Sequence, residues 1–125
     1  MNTGVSKLDR NVSFIALDGK NAFIIELPDN FPQYHVLRIE IYPQVKQVHI
    51  YSKSYKEYGI YIVVHNRTTD LDLHLENVKM IAPNMEGSYN DFKALSVVLM
   101  STTNNSALNL YAYGHVEIYG SSGYD

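Results

Sequence analysis

The sequence predicts a single all-β domain, and three observations support this class. Apolar and polar residues alternate with a period of two along most of the chain, which is the pattern of β-strands. No window of ten or more residues shows the 3.6-residue period of a helix. Tyrosine, which favours strands, occurs 11 times in the 125 residues, beside 4 Phe and no Trp. The domain spans residues 1–125, with residues 1–10 as an N-terminal arm and 120–125 as a tail.

The first four predicted strands are bounded by Gly, Pro, Asp and Asn, the residues that favour turns. Val36–Tyr42 alternates cleanly, so Leu37 and Ile41 face one side while Arg38 and Tyr42 face the other. The four strands are Val12–Asp18, Ala22–Leu27, Val36–Tyr42 and Val45–Tyr51.

Six further strands are predicted in the second half of the chain. Two polar segments with turn residues separate some of them, Pro83–Lys93 and Ser101–Ser106. Corners are expected at Asn77 and Gly114. The six strands are Ile60–His65, Leu71–Leu75, Val78–Ile81, Leu95–Met100, Leu108–Ala112 and Val116–Tyr119; the first and fourth of these are apolar on both faces.

A group of three strands recurs along the chain, which is the signature of stacked repeats. The later copies align Ile60 with Leu95 at an offset of 35, Leu71 with Leu108 at 37, and Val78 with Val116 at 38. An earlier copy is predicted by aligning Leu37 with Leu71 at an offset of 34 and Val48 with Val78 at 30. This register places Arg38 beside Asp72 and Asn109, Glu40 beside His74 and Tyr111, and Tyr42 beside Glu76 and Tyr113.

Two segments, Leu71–Met80 and Ala107–Ile118, make the chain resemble the right-handed parallel β-helix proteins of bacteria and their viruses. The resemblance covers about residues 36–119, and Asn77 lies at the corner where such proteins stack asparagines, although the next copy has Gly114 there. It implies a short parallel β-solenoid of about three rungs, in a family where carbohydrate-active or carbohydrate-binding secreted members are common. A β-sandwich or jelly roll stays open as the alternative, because short strands at regular spacing suit that class too.

Composition narrows the function classes. The net charge of -3 and the scattered basic residues argue against nucleic-acid binding, which needs clustered Lys and Arg. No segment approaches the ~20 apolar residues of a membrane span, and residues 1–10 lack the apolar core of a signal peptide. The compartment is left unknown, with an extracellular or particle-surface location favoured. There are no cysteines, and no cofactor or zinc motif is present, so no cofactor or metal is predicted.

Five residues form a candidate carbohydrate-binding surface. Tyr42, Tyr111 and Tyr113 fall on the outward side of alternating strands, where aromatic rings can stack on sugars. His74 and Glu76 would supply hydrogen bonds beside them. Cross-strand tyrosine pairing that only stabilises the sheet is the alternative interpretation.

The acidic strand around His74 carries a second possibility. Asp70, Asp72 and Glu76 point the same way, and neighbouring side chains on one strand face lie roughly 7 Å apart. This spacing suits the paired carboxylates of a glycosidase, or ligands of a hard metal ion. A solvated strand face gives the same pattern. Because nothing else completes a site, no catalytic residue is assigned and the chain is not predicted to be an enzyme.

The strands that are apolar on both faces predict self-association. Their outward side chains would form a patch too large for a soluble monomer to expose, so a second copy or the 83–93 segment, with Met85, Tyr89 and Phe92, must cover it. The leading hypothesis is therefore a structural, assembly or surface-attachment module that forms a homo-oligomer. A carbohydrate-binding module with a glycan partner ranks second, and a polysaccharide-acting enzyme third. The predicted interface residues are Phe23, Ile25, Tyr61, Val63, Val98 and Met100.

Overall fold

The structure is a computed structural model, and it describes residues 4–30, 32, 36–55, 59–81, 95–99 and 107–119. These residues form nine β-strands and no helix, so the all-β class predicted from the sequence is confirmed for the described part of the chain. The strands are β1 (Val5–Lys7), β2 (Phe14–Leu17), β3 (Ala22–Glu26), β4 (Val36–Ile41), β5 (Gln47–Tyr51), β6 (Gly59–Val64), β7 (Leu71–Ile81), β8 (Leu95–Leu99) and β9 (Leu108–Tyr119).

Most strand ends differ from the sequence prediction by one or two residues, and three differences are larger. The predicted strands on either side of Asn77 are one continuous strand, β7, and those on either side of Gly114 are β9. Within the predicted N-terminal arm, Val5–Lys7 pair in parallel with β3. The segments 83–93, 101–106 and 120–125 lie outside the described residues.

All described strand pairs are parallel, and they form two stacks. The odd stack runs β1-β3-β5-β7-β9, and the even stack runs β2-β4-β6-β8. From β2 onward the chain therefore crosses to the other stack after each strand. Near its end β7 also meets β8, where Met80 pairs with Leu95.

The register confirms the later repeats and corrects the earlier one. Ile60 pairs with Leu95, Leu71 with Leu108, and Val78 with Val116, at the predicted offsets. Leu37 pairs with Ile60 rather than Leu71, at an offset of 23, and Val48 pairs with Leu73 rather than Val78, at 25. The prediction failed there because any two alternating strands match by their period of two, so alternation alone does not identify the partner.

The predicted neighbours of the outward side chains of β7 are consequently correct towards β9 and wrong towards β5. Asp72 lies beside Asn109, His74 beside Tyr111, and Glu76 beside Tyr113, as expected. Arg38, Glu40 and Tyr42 are not their neighbours, since β4 belongs to the even stack. The positions expected for those three are taken by Gln47, His49 and Tyr51 of β5.

The core fills the space between the inward faces of the two stacks. Full burial of one such Leu or Ile side chain contributes about 1.5–3 kcal/mol to folding. At the β1–β2 end, Leu8 and Val12 are partly buried against the core. At the β9 end, Leu110 is 42% exposed although it continues the inward row of Leu73. The fully buried large side chains are Ile25, Leu27, Leu37, Ile39, Ile41, Ile50, Ile60, Ile62, Leu71, Leu73 and Leu75.

The predicted interface residues do not form one outward face. Phe23 pairs with Val48 and therefore points inward, where it packs against the core; Ile25, on the same side of β3, is 2% exposed. The sequence prediction had placed Phe23 and Ile25 on the outward side of this strand, whereas its pairing with β5 places both with the inward residues Val48 and Ile50. On the even stack, Val63 is 1% exposed and Tyr61 is half-buried beneath the guanidinium of Arg38.

The other residues assigned to that patch are described only in part or not at all. Val98 pairs with Val63 through the backbone, and nothing further is described for its side chain. Met100 and the proposed covering residues Met85, Tyr89 and Phe92 lie outside the described residues.

The corner in β7 depends on Asn77, whose φ of 56° is in the left-handed region. Its Nδ2 donates to the carbonyl of Ser52 at 3.1 Å, and its Oδ1 accepts from the backbone N–H of His115 at 2.9 Å. One side chain thus connects three successive levels of the odd stack. Gly114 occupies the matching corner of β9 with a φ of 64°, and a Cβ there would collide with Oδ1 of Asn77.

Replacing Gly114 with alanine should therefore lower the free energy of unfolding by more than the strain of a positive φ alone would. The control is Gly19→Ala, because Gly19 also has a positive φ, of 82°, but has open space around it. We expect a loss of about 1 kcal/mol in the free energy of unfolding for Gly19→Ala and about 2–3 kcal/mol for Gly114→Ala, which also disrupts the Asn77 hydrogen bond. Urea unfolding measures both, and equal losses would contradict the proposed collision.

Candidate functional site

The outer face of the odd stack carries three rows of side chains in register, which we call the polar face. Parallel pairing places every second residue of β3, β5, β7 and β9 on this side, with neighbouring strands about 4.8 Å apart. The rows are Ala22, Gln47, Asp72 and Asn109; Ile24, His49, His74 and Tyr111; and Glu26, Tyr51, Glu76 and Tyr113.

His74 lies at the centre of an aromatic cluster on this face. Its ring stacks on Tyr111, with centroids 4.5 Å apart and planes 16° apart. Tyr113 is nearly parallel to it, at 3° and 5.8 Å, and a 2.9 Å hydrogen bond joins Nδ1 of His74 to the hydroxyl of Tyr113. The ring of His49, from β5 on the other side of β7, has its centroid 5.9 Å from that of His74. His74 therefore orients both tyrosines of β9.

Tyr111 and Tyr113 are two exposed, nearly parallel rings on neighbouring positions of one strand face, and we call this pair the tyrosine platform. Their planes lie within about 20° of each other, because they are 16° and 3° from the plane of His74. They are 43% and 45% exposed. In the described part of the chain β9 pairs only with β7, so the ring faces that point away from His74 are not covered by another strand.

A cleft of about 380 Å³ adjoins the platform across β3, β5 and β7. It is lined on one side by His49, His74, Glu76 and Tyr113. Nε2 of His49 lies 3.2 Å from a carboxylate oxygen of Glu76, which keeps 39% of its side chain exposed. Nε2 of His74 is buried and has no hydrogen-bond partner among the described residues. The cleft thus combines half-exposed acceptors with imidazole groups.

Glu26 closes the far end of the third row and is 8% exposed. One of its carboxylate oxygens accepts from the hydroxyl of Tyr51 at 3.3 Å, and the other lies 3.7 Å from Nζ of Lys7 and 3.8 Å from Nζ of Lys53. Burial and the carboxylate of Glu26 raise the pKa of Tyr51, because both disfavour the phenolate. At this end of the polar face, the carboxylate of Glu26 is therefore paired with side chains of the same chain.

Tyr42, the fifth predicted sugar-binding residue, belongs to a separate cluster at the even stack. Its hydroxyl donates to Glu40 at 3.0 Å, and its ring stacks on His65 with centroids 4.2 Å apart. Glu40 also accepts from Nε of Arg38 at 2.6 Å and lies 2.8 Å from Nε2 of His65. These hydrogen bonds, that of Arg38 first, lower the pKa of Glu40 to about 2. The hydrogen bond to Glu40 raises the pKa of Tyr42.

The acidic side chains of the β7 region connect it to the next strand. Oδ1 of Asp70 accepts from the backbone N–H of Ala107, and Oδ1 of Asp72 accepts from Nδ2 of Asn109, both at 2.9 Å. Among the described residues no three His, Asp or Glu side chains are grouped closely enough to hold a metal ion. No helix in that part of the chain is long and apolar enough to cross a membrane.

The sequence analysis thus placed four of its five predicted sugar-binding residues correctly together, namely His74, Glu76, Tyr111 and Tyr113. It missed His49 and Tyr51. Alternation in Val45–Tyr51 already puts both opposite Val48 and Ile50, so the signal was present, but the wrong partner strand removed them from the surface.

Comparison of the chain with models of protein families, with curated proteins and with solved structures found no match. The chain is therefore described by its own structure, as an all-β protein of parallel strands whose odd stack has an aromatic and polar outer face.

Proposed function

We propose that this chain is a carbohydrate-binding module on a short parallel β-solenoid, and that the tyrosine platform is its binding surface. The observation that carries the proposal is the near-parallel pair of exposed rings, Tyr111 and Tyr113. Pyranose rings present apolar C–H groups on a face, and a flat aromatic surface can bury that face while hydroxyl groups stay at the rim. No catalytic role is proposed.

The solenoid is supported by the path of the chain. From β2 to β9 each strand is followed by one in the other stack, and each pairs in parallel with the strand one turn later. The interval is 19 residues between β1 and β3, 23–25 in the next turns and 35–38 in the last, so the turns share strands and differ in their connections. Stacked repeats with loops of variable length have this form.

Polar groups around the platform suit a hydroxyl-rich ligand. Asn109 lies two residues before Tyr111 on the same face, and Glu76 is beside Tyr113. Carboxylate and amide oxygens accept hydrogen bonds from sugar hydroxyls, and the amide of Asn109 can donate. A few polar groups placed around an apolar surface are what fixes a ligand's orientation.

The test is the double substitution Tyr111→Ala and Tyr113→Ala. A glycan array identifies the ligands of the wild type, and calorimetry then measures affinity for the best one. We expect about a 30-fold loss of affinity, since each lost ring contact is worth about 1 kcal/mol and 1.4 kcal/mol is tenfold. The melting temperature should change little, because both rings are nearly half exposed.

Tyr61→Ala is the matched control, since Tyr61 is half-buried on the even stack. It should leave sugar affinity within about twofold of the wild type, a change below 0.5 kcal/mol. A wild type that binds no sugar, or a double variant that binds as well as the wild type, would refute the proposal. A large loss of stability in the double variant would show that the rings serve the core.

Self-association is a second candidate, and one observation favours it. Every exposed large hydrophobic residue in the described part of the chain lies on a terminal strand of a stack. These residues are Val5 of β1, Phe14 of β2, and Leu110, Tyr111 and Tyr113 of β9. Apolar ends of this kind suit end-to-end contact with a second copy. Light scattering over a range of concentrations distinguishes a monomer from such an assembly.

A further inference from the structure

We infer that the tyrosine platform selects uncharged sugars and rejects acidic ones such as uronic acid polymers. The inference rests on the proposed function, because it names the ligand class of the same surface. Three observations support it. Carboxylates border the two rings, the nearest paired lysines are about three strand spacings away, and the carboxylates can still accept hydrogen bonds from sugar hydroxyls.

Among the side chains that the structure describes, the two charged ones in register with β9 on the polar face are both negative. On the polar face, β9 contributes Asn109, Tyr111 and Tyr113, and no acidic or basic residue. The strand beside it contributes Asp72, in register with Asn109, and Glu76, in register with Tyr113. One carboxylate therefore borders each end of the two-ring surface, at a separation of one strand spacing, about 4.8 Å between backbones.

Two described cations, Lys7 and Lys53, are at the other end of the polar face. Lys7 and Lys53 both lie within 4 Å of the carboxylate of Glu26. Glu26 is three strands away from Tyr113, since Tyr51 and Glu76 lie between them. Three spacings of about 4.8 Å make roughly 14 Å, which exceeds the screening length of about 8 Å at physiological ionic strength. These ammonium groups therefore do little to offset the charge at the platform.

Asp72 and Glu76 are held in place without being saturated. One oxygen of Asp72 accepts from Asn109 at 2.9 Å, and one oxygen of Glu76 lies 3.2 Å from His49. An ionised carboxylate has about four acceptor sites on its two oxygens. Each group can therefore accept from the hydroxyls of a neutral sugar seated on the rings, whereas the carboxylate of a uronic acid would meet a like charge.

The experiment compares sugars of similar length on the full chain. Cellohexaose and chitohexaose are the uncharged probes, and hexagalacturonate is the acidic probe, each measured by calorimetry at 20 mM and 200 mM salt. We expect an uncharged probe to bind at least tenfold more tightly than the acidic one at low salt. Added salt should reduce the difference, because it screens the repulsion.

Two isosteric variants locate the effect. Asp72→Asn and Glu76→Gln remove a charge but keep acceptor oxygens, so combined they should raise acidic-probe affinity at least tenfold and leave the uncharged probes within about threefold. Asp18→Asn is the control for each of the two single substitutions, since it removes one negative charge at an exposed position on the even-stack side. It should alter neither affinity.

The possible failures are distinguishable. Equal binding of acidic and uncharged probes through Tyr111 and Tyr113 would overturn the selectivity and leave the platform as a sugar-binding surface. Selectivity that persists unchanged in the double carboxylate variant would also overturn it, because the charges would not be its cause. Binding of none of the probes, and of no sugar on a glycan array, would overturn the proposed function and the selectivity with it.

Discussion

Substitution of Arg67 with methionine is expected to lower the free energy of unfolding by about 3 kcal/mol or more. Arg67 is 3% exposed, and its guanidinium donates to backbone carbonyls in two different connections. Its Nε donates to Thr69 at 2.9 Å, and its Nη atoms donate to Val45, and at 3.4 Å to Tyr42 and Asp70. Burial lowers the pKa of Arg67, so the charge itself is costly and the hydrogen bonds are what offset it.

The cost of losing Arg67 comes from the groups left behind. Residues 42–45 connect β4 to β5, and residues 67–70 lie between β6 and β7, so the guanidinium joins equivalent connections of two successive turns. Methionine fills a similar volume and supplies no donor, so the carbonyl of Val45 loses a buried hydrogen bond and those of Thr69 and Asp70 lose part-buried ones. A buried polar group that loses its partner costs about 1–3 kcal/mol.

Two further variants make the Arg67 experiment decisive. Arg10→Met removes an exposed arginine and should change the free energy of unfolding by no more than about 0.5 kcal/mol. Arg67→Lys should recover only part of the loss, because an ammonium lacks the planar fork that reaches several carbonyls at once. If Arg67→Met unfolds at the same urea concentration as Arg10→Met, the assigned role of the guanidinium is wrong.

The strands themselves were predictable because their signals are local. Val36–Tyr42 was predicted from alternation ended by Pro43, and β4 occupies Val36–Ile41. A strand needs only a few alternating residues and a turn residue at its end, and both can be read within ten positions. The corners at Asn77 and Gly114 were predicted for the same reason, and both have a positive φ.

Strand partners were predictable only where the side chains are distinctive. Ile60 and Leu95 begin strands that are apolar on both faces, and they were aligned correctly. Leu37 begins an ordinary alternating strand, which matches many others equally well, and it was aligned incorrectly. The unequal turn lengths, 23–25 and then 35–38 residues, also mislead a search for one fixed period.

The residues of the candidate site were grouped correctly only where the strands that carry them were paired correctly. Tyr111 joined His74 in the prediction because β7 and β9 were aligned correctly, while Tyr42 was included in error because β4 was not. Arg67 left no signal, since a basic residue among Asn, Thr and Asp resembles a solvated loop. Its burial depends on carbonyls that are brought close only by the stacking of two turns.

Truncation of Leu73 to alanine is the second change expected to have a large effect. Leu73 is completely buried between Val48 and Leu110 in the inward row of the odd stack. Removing its side chain deletes buried methyl groups and leaves a cavity beside the fully buried Val48, for a loss of about 2–5 kcal/mol in the free energy of unfolding. Urea unfolding monitored by circular dichroism measures this loss.

The same substitution one strand later provides the control and tests the open end of the stack. Leu110 is paired with Leu73 and faces the same way, but it is 42% exposed, so Leu110→Ala should cost less than about 1 kcal/mol in a monomer. If a second copy covers β9 in solution, Leu110→Ala should instead cost about as much as Leu73→Ala at high protein concentration, and that cost should fall on dilution as the copies separate. A loss near that of Leu73→Ala at every concentration would contradict an exposed Leu110, because it would mean that the row is buried within a single chain.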